Sequence, residues 1–123
     1  MRAFVLSPML LAALPVQAAN YDCRLTLLCK GEASRMSCIT LSGPAPVTLT
    51  IPETGEGRIA ASGAEAALSI DRRDADSLSM SYRNTPGAAR TLLRLVPETG
   101  RMQSAQLAKD GPELAEFTCK EAI

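Results

Sequence analysis

Histidine and tryptophan are both absent from this chain of 123 residues. Without histidine no Ser-His-Asp or Cys-His arrangement can form, and no imidazole can hold a metal. Aromatics are scarce: after residue 18 only Tyr21, Tyr82 and Phe117 remain. That leaves little with which to stack a sugar or a base. Cys-x-x-Cys, the usual spacing of a redox-active pair, does not occur. The positions of Cys23, Cys29, Cys38 and Cys119 also lack the paired close ligands of a zinc site, so no metal and no cofactor is expected. A formal net charge of zero argues against nucleic acid, which draws affinity from excess positive charge.

Carboxylate chemistry is the enzymatic option that survives these absences. Glycoside hydrolysis needs two acids facing each other across a cleft, whereas the acids here fall in turns or on outward strand positions. The expectation is a protein that is not an enzyme. Asp71-Arg72-Arg73-Asp74-Ala75-Asp76 gathers three acids, but its two arginines oppose a calcium loop. It reads as a solvated hairpin tip with internal ion pairs.

What is present begins with an address. Met1-Arg2 followed by the apolar run Ala3 to Val16 and the end Val16-Gln17-Ala18 reads as a cleaved secretion signal, residues 1–18. Pro8 and Pro15 interrupt the run, which falls short of the ~20 apolar residues of a membrane span. No cysteine directly follows Ala18, so a lipid anchor is not expected. The expected location is periplasmic or secreted, with residues 19–123 forming a single β-domain. In an oxidising compartment the four cysteines read as a disulfide framework.

From residue 22 onward, apolar residues recur with period two. Cys23, Leu25, Leu27 and Cys29 are expected on one face of a first strand, and Arg35 to about Ser42 forms a second. Val47–Ile51 is a third, Arg58–Ser62 a weaker fourth, and Leu68 and Ile70 belong to a fifth. In Ser77 to Arg83 the inward residues are Leu78, Met80 and Tyr82. Arg90 to Val96 returns as a seventh strand. Met102 to Ala108 reads as an eighth, although Gln103 to Ala108 could equally begin a short helix. Phe117 to Lys120 closes the chain. Ile51-Pro52-Glu53-Thr54-Gly55 recurs as Val96-Pro97-Glu98-Thr99-Gly100, each time after a strand. In each, proline presets the turn and glycine takes a left-handed conformation. The pair reads as one hairpin problem solved twice, or as two matched loops of a binding rim.

The result is an all-β antiparallel meander of about eight strands, a closed or nearly closed barrel, with a two-layer β-sandwich as the alternative. Four cysteines allow three pairings. In the barrel, first and last strands are neighbours, which pairs Cys23 with Cys119 and leaves Cys29 with Cys38 across the first hairpin. Arg72, Arg73, Arg83, Arg90 and Arg94 form a candidate basic strip for an acidic protein or an anionic envelope lipid.

Three functional readings fit. The first is a non-catalytic binding module, of inhibitor or accessory type, that engages another envelope protein. The second is a lipocalin-like carrier of a small apolar ligand inside the barrel. The third is a structural subunit of an envelope assembly, with Val47 to Ile51 as an edge strand open to a partner.

Overall fold

The computed structural model describes residues 19–32, 35–43, 46–83, 87–108 and 111–122. The expected signal segment, residues 1–18, lies outside them. Every regular element among the described residues is a strand. The strands are β1 (Ala19–Glu32), β2 (Arg35–Thr40), β3 (Val47–Ile51), β4 (Gly57–Ala61) and β5 (Ala64–Arg73). They continue as β6 (Leu78–Tyr82), β7 (Thr91–Val96), β8 (Arg101–Ala108) and β9 (Gly111–Glu121).

All pairings are antiparallel, and β9 returns to pair with β1 from Tyr21↔Glu121 to Lys30↔Glu113. That pairing closes the sheet into a barrel and sets aside the sandwich. The barrel runs β1-β3-β4-β5-β6-β7-β8-β9, and β2 is not part of it. β1 is long enough to carry two partners on one edge. Residues 19–23 pair with β3, and residues 27–32 pair with β2. The first hairpin therefore adds a ninth strand beside the barrel instead of supplying one of its staves.

Eight strands enclose an interior about wide enough for side chains to fill. Here Leu49, Leu68, Met80, Leu95 and Met102 are almost wholly buried in it. β6 holds the expected alternation with Met80 buried inside, and Leu95 on β7 faces inward opposite Leu78. β8 is a strand throughout, which removes the helical alternative for Gln103 to Ala108. β9 begins at Gly111, well before Phe117, because β8 and β1 both offer it a ladder. Pairing on two sides overrides the weak β-propensity of Pro112-Glu113-Leu114.

One face assignment is corrected. The β1–β9 register slips between Leu25 and Leu27, so Thr26 is an extra residue in a bulge. Its hydroxyl donates to the Glu116 carbonyl at 3.1 Å, and its own carbonyl accepts from Leu41 N–H at 3.0 Å. The bulge flips everything after it. Cys23 and Leu25 share the inward side with Cys119 and Phe117, whereas Leu27 and Cys29 share the outward side with Glu116 and Leu114. The four residues do not lie on one face.

Both disulfides match the barrel expectation: Cys23–Cys119 and Cys29–Cys38. The first joins β1 to β9 at the closing seam, and the second ties β2 to β1. Two such bonds are compatible with a secreted or periplasmic protein. The two Pro-Glu-Thr-Gly turns join β3 to β4 and β7 to β8, at the same end of the barrel. Gly55 and Gly100 have φ of 89° and 76°, the left-handed conformation the sequence calls for.

Candidate functional site

Register fixes which residues share the outward face. In the row Ser81, Leu92, Ala105, Leu114, Cys29 and Cys38 each residue sits opposite the next on its neighbouring strand. Towards the β8–β9 turn Leu107 sits opposite Pro112 and Gly31 opposite Met36, with Pro112 close against Gly31. The large apolar side chains among them are open to solvent: Met36 by 45%, Leu92 by 56%, Leu107 by 72% and Leu114 by 42%. These four exposures matter because isolated apolar residues on a surface are ordinary, whereas a contiguous group marks an interaction surface.

On the other side runs a polar row of Arg72, Ser79, Arg94, Gln103, Glu116 and Leu27. A groove of about 500 Å3 lies along the two rows, lined among others by Leu27, Cys29, Leu92, Arg94, Leu114 and Glu116. Sequence alternation missed this face, although a signal was present. Leu27-Leu28 and Leu92-Leu93 are adjacent apolar pairs, and in a strand an adjacent pair must place one member outward.

The apolar face ends at a free sheet edge. Among the described residues β2 has a neighbour on one side only, and all six of its residues are exposed. Cys29 and Cys38 have Cα atoms 4.0 Å apart, the close approach of a pair that exchanges no ladder hydrogen bonds. The bond from Leu41 N–H to Thr26 confirms that odd-numbered residues here bond to β1. Met36, Cys38 and Thr40 therefore direct their N–H and C=O groups away from β1, along the open edge. β3, by contrast, is paired on both sides, to β1 and to β4. Val47 to Ile51 is not an edge strand, and that part of the structural-subunit reading is corrected: the open edge belongs to β2.

The structure separates the five arginines of the sequence-derived strip. Arg72 and Arg94 occupy one outward row with Ser79 between them. Arg72 is held by Asp74 at 2.9 Å, so the hairpin tip carries the internal ion pair expected of it. Arg73 lies at the end of β5 and donates to the Pro52 carbonyl. Arg83 and Arg90 directly follow the last β6–β7 pair, Tyr82↔Thr91, and so flank that turn as expected. They sit at the opposite end of the ladder from Arg72 and Arg73.

Arg90 takes part in a compact polar cluster. A second bulge, between Ile70 and Arg72, turns Asp71 outward. Its carboxylate accepts from Ser69 and from Ser81, both at 2.7 Å. Arg90 in turn donates to the Ser81 hydroxyl at 2.8 and 3.2 Å. Ser81 is nearly inaccessible, so the cluster satisfies a buried polar group at the groove margin.

The hydrogen bonds from Ser81 and Ser69, with the charge of Arg90, hold the Asp71 carboxyl below its ordinary value of 3.8. A depressed pKa contributes stability above the unfolded value and loses it as pH falls through the folded one. Acidification below about pH 4 should therefore lower the melting temperature of the wild type more than that of Asp71→Asn. Parallel melting curves from pH 6 to pH 2.5 check this; equal acid sensitivity would count against the cluster.

Among the described residues no group of three or more His, Cys, Asp or Glu side chains is placed to hold a metal. No protein-family model matches the chain, and no match was found among curated proteins or solved structures.

Proposed function

We propose that this chain is a non-catalytic binding module of the periplasm or extracellular space that engages another envelope protein, as an inhibitor or accessory. The observation that carries the reading is the outward apolar face of Met36, Leu92, Leu107 and Leu114 running up to β2, whose outer edge is open among the described residues. The partner is a protein with an extended apolar segment. Main-chain groups of Met36, Cys38 and Thr40 would accept its backbone as an added strand, and the adjacent face would take its side chains. A folded neighbour of that kind would remove both the exposed apolar area and the open edge, which soluble proteins otherwise blunt.

Arg94 is the strip residue best placed to contribute, since it lines the groove beside Leu92. Arg90 reaches the margin of the groove through its hydrogen bonds to Ser81.

Native mass spectrometry on protein recovered gently from its producing cells tests the proposal. The expected spectrum contains a defined second protein at fixed stoichiometry. Replacing Leu92 and Leu114 together by glutamate should weaken that complex by ~10-fold or more, as loss of central apolar anchors does. Both side chains are exposed, so stability should change by only ~0.5 kcal/mol per site. A complex unaffected by the double substitution, or a bare monomer, contradicts the proposal.

A further inference from the structure

The barrel interior is not filled at the end that carries the β4–β5 turn. A cavity of about 280 Å3 opens there, bounded by inward residues that include Ala61, Ala66, Tyr82, Leu93, Ser104 and Phe117. Two features of the chain make this room. β3 pairs with β1 only as far as Cys23, and among the described residues no β1–β3 pair continues the wall above that level. The strands beyond the gap also turn small side chains inward, as the register pairs Ala61 with Ala64 and Ile59 with Ala66. Larger residues at those positions would meet Leu93 and Phe117 and fill the space.

The wall is mostly apolar, with the hydroxyl residues Ser104 and Tyr82, and Glu65 also borders it. Ser104 faces inward between Leu93 and Ala115 in the ladder, and Tyr82 stands one row nearer the opening, opposite Thr91. A lining of aliphatic and aromatic side chains with a few polar groups is the usual make-up of a small-molecule site.

We propose that this cavity binds a small apolar molecule carrying one hydroxyl or carbonyl group. A cavity of ~150 Å3 admits the six carbons of benzene. Scaled from that, the space here takes roughly eleven non-hydrogen atoms. The oxygen is recognised by Ser104 or Tyr82, and the carbon skeleton lies between Ile59, Leu93 and Phe117. This site is inside the barrel, on the opposite side of the sheet from the protein-binding face.

2-Naphthol has the required size and a single hydroxyl, and serves as the probe. Titrated into the oxidised protein and followed by calorimetry, it should bind once per chain with Kd on the order of 10−4 M. Methyl resonances of Ile59 should shift on binding, and those of Leu114 should not. Ala66→Leu should weaken binding at least ~10-fold by occupying the space, as overfilling a small site does. Ser104→Ala, a change too mild to unfold the barrel, should reduce the preference for 2-naphthol over naphthalene. Absence of saturable binding overturns the proposal. So does binding that Ala66→Leu leaves intact, or that Leu92→Glu weakens, since either would place the probe on the outward groove.

Discussion

Cys119→Ser should cost this protein far more stability than Cys38→Ser. The two bridges close loops of very different length, with sequence separations of 96 and 9. On the chain-entropy account these contribute about 4.7 and 2.7 kcal/mol. The structure widens that difference. Cys23–Cys119 sits in the core, with Cys23 fully buried, and crosses the seam where β1 and β9 close the barrel. Its loss leaves a polar serine facing a buried thiol at the pairing that completes the fold. Cys29–Cys38 fastens only β2, which the barrel does not contain. Its loss frees an exposed strand and leaves every stave in place. Urea unfolding of the two variants measures the contrast, and equal losses would contradict this description of the seam.

The second large effect comes from a glycine that the sequence presents as one of a matched pair. Gly55 and Gly100 both close Pro-Glu-Thr-Gly turns with positive φ. A methyl group added at Gly55 would meet open space, whereas at Gly100 it would collide with the Cys119 carbonyl oxygen. Gly100 also accepts from Cys119 N–H at 2.6 Å and donates to the Val96 carbonyl at 2.9 Å. The β7–β8 turn is thus pressed against the strand that carries the seam disulfide. Gly55→Ala should cost only the left-handed penalty, ~1–2 kcal/mol. Gly100→Ala should cost that and the backbone displacement as well, ~3 kcal/mol or more in all. Thermal melts of the two single variants decide it. Similar losses would mean the turn yields freely and the contact with β9 contributes little.

The repeated turns show how far local sequence reasoning reaches. Proline and glycine determine the turn geometry within four residues, so both hairpins were legible. Whether a glycine tolerates a side chain depends on a strand some twenty residues away, and the turn itself carries no trace of that. The same division runs through the fold. Alternation in Leu78, Met80 and Tyr82 located a strand and its inward face, and chain closure paired the cysteines. The displacement of β2 was not legible, because β2 and β3 compete for one edge of β1 and only the long-range register decides between them.

The bulge at Thr26 was equally hidden. A single inserted residue reverses the faces of Leu27 and Cys29, and nothing about threonine announces it. That reversal matters for function, since it carries Cys29 and Leu27 to the outward side, beside Leu92 and Leu114. The arginine strip was drawn from residue type alone. Strand direction puts Arg72 and Arg73 at one end of the β5–β6–β7 ladder and Arg83 and Arg90 at the other, so no single row contains them all.

The central claim is that β2 offers an open edge to a partner strand, and amide hydrogen exchange read residue by residue tests it most directly. In the free protein the N–H groups of Met36, Cys38 and Thr40 should exchange rapidly, while those of Ser37 and Ile39, bonded to β1, should be slower. In the complex recovered from the producing cells, the three fast amides should become protected together, and the groove-lining residues Leu92 and Leu114 should show shifted resonances. Protection elsewhere with Met36, Cys38 and Thr40 still exchanging freely would contradict the account and move the interface off this edge.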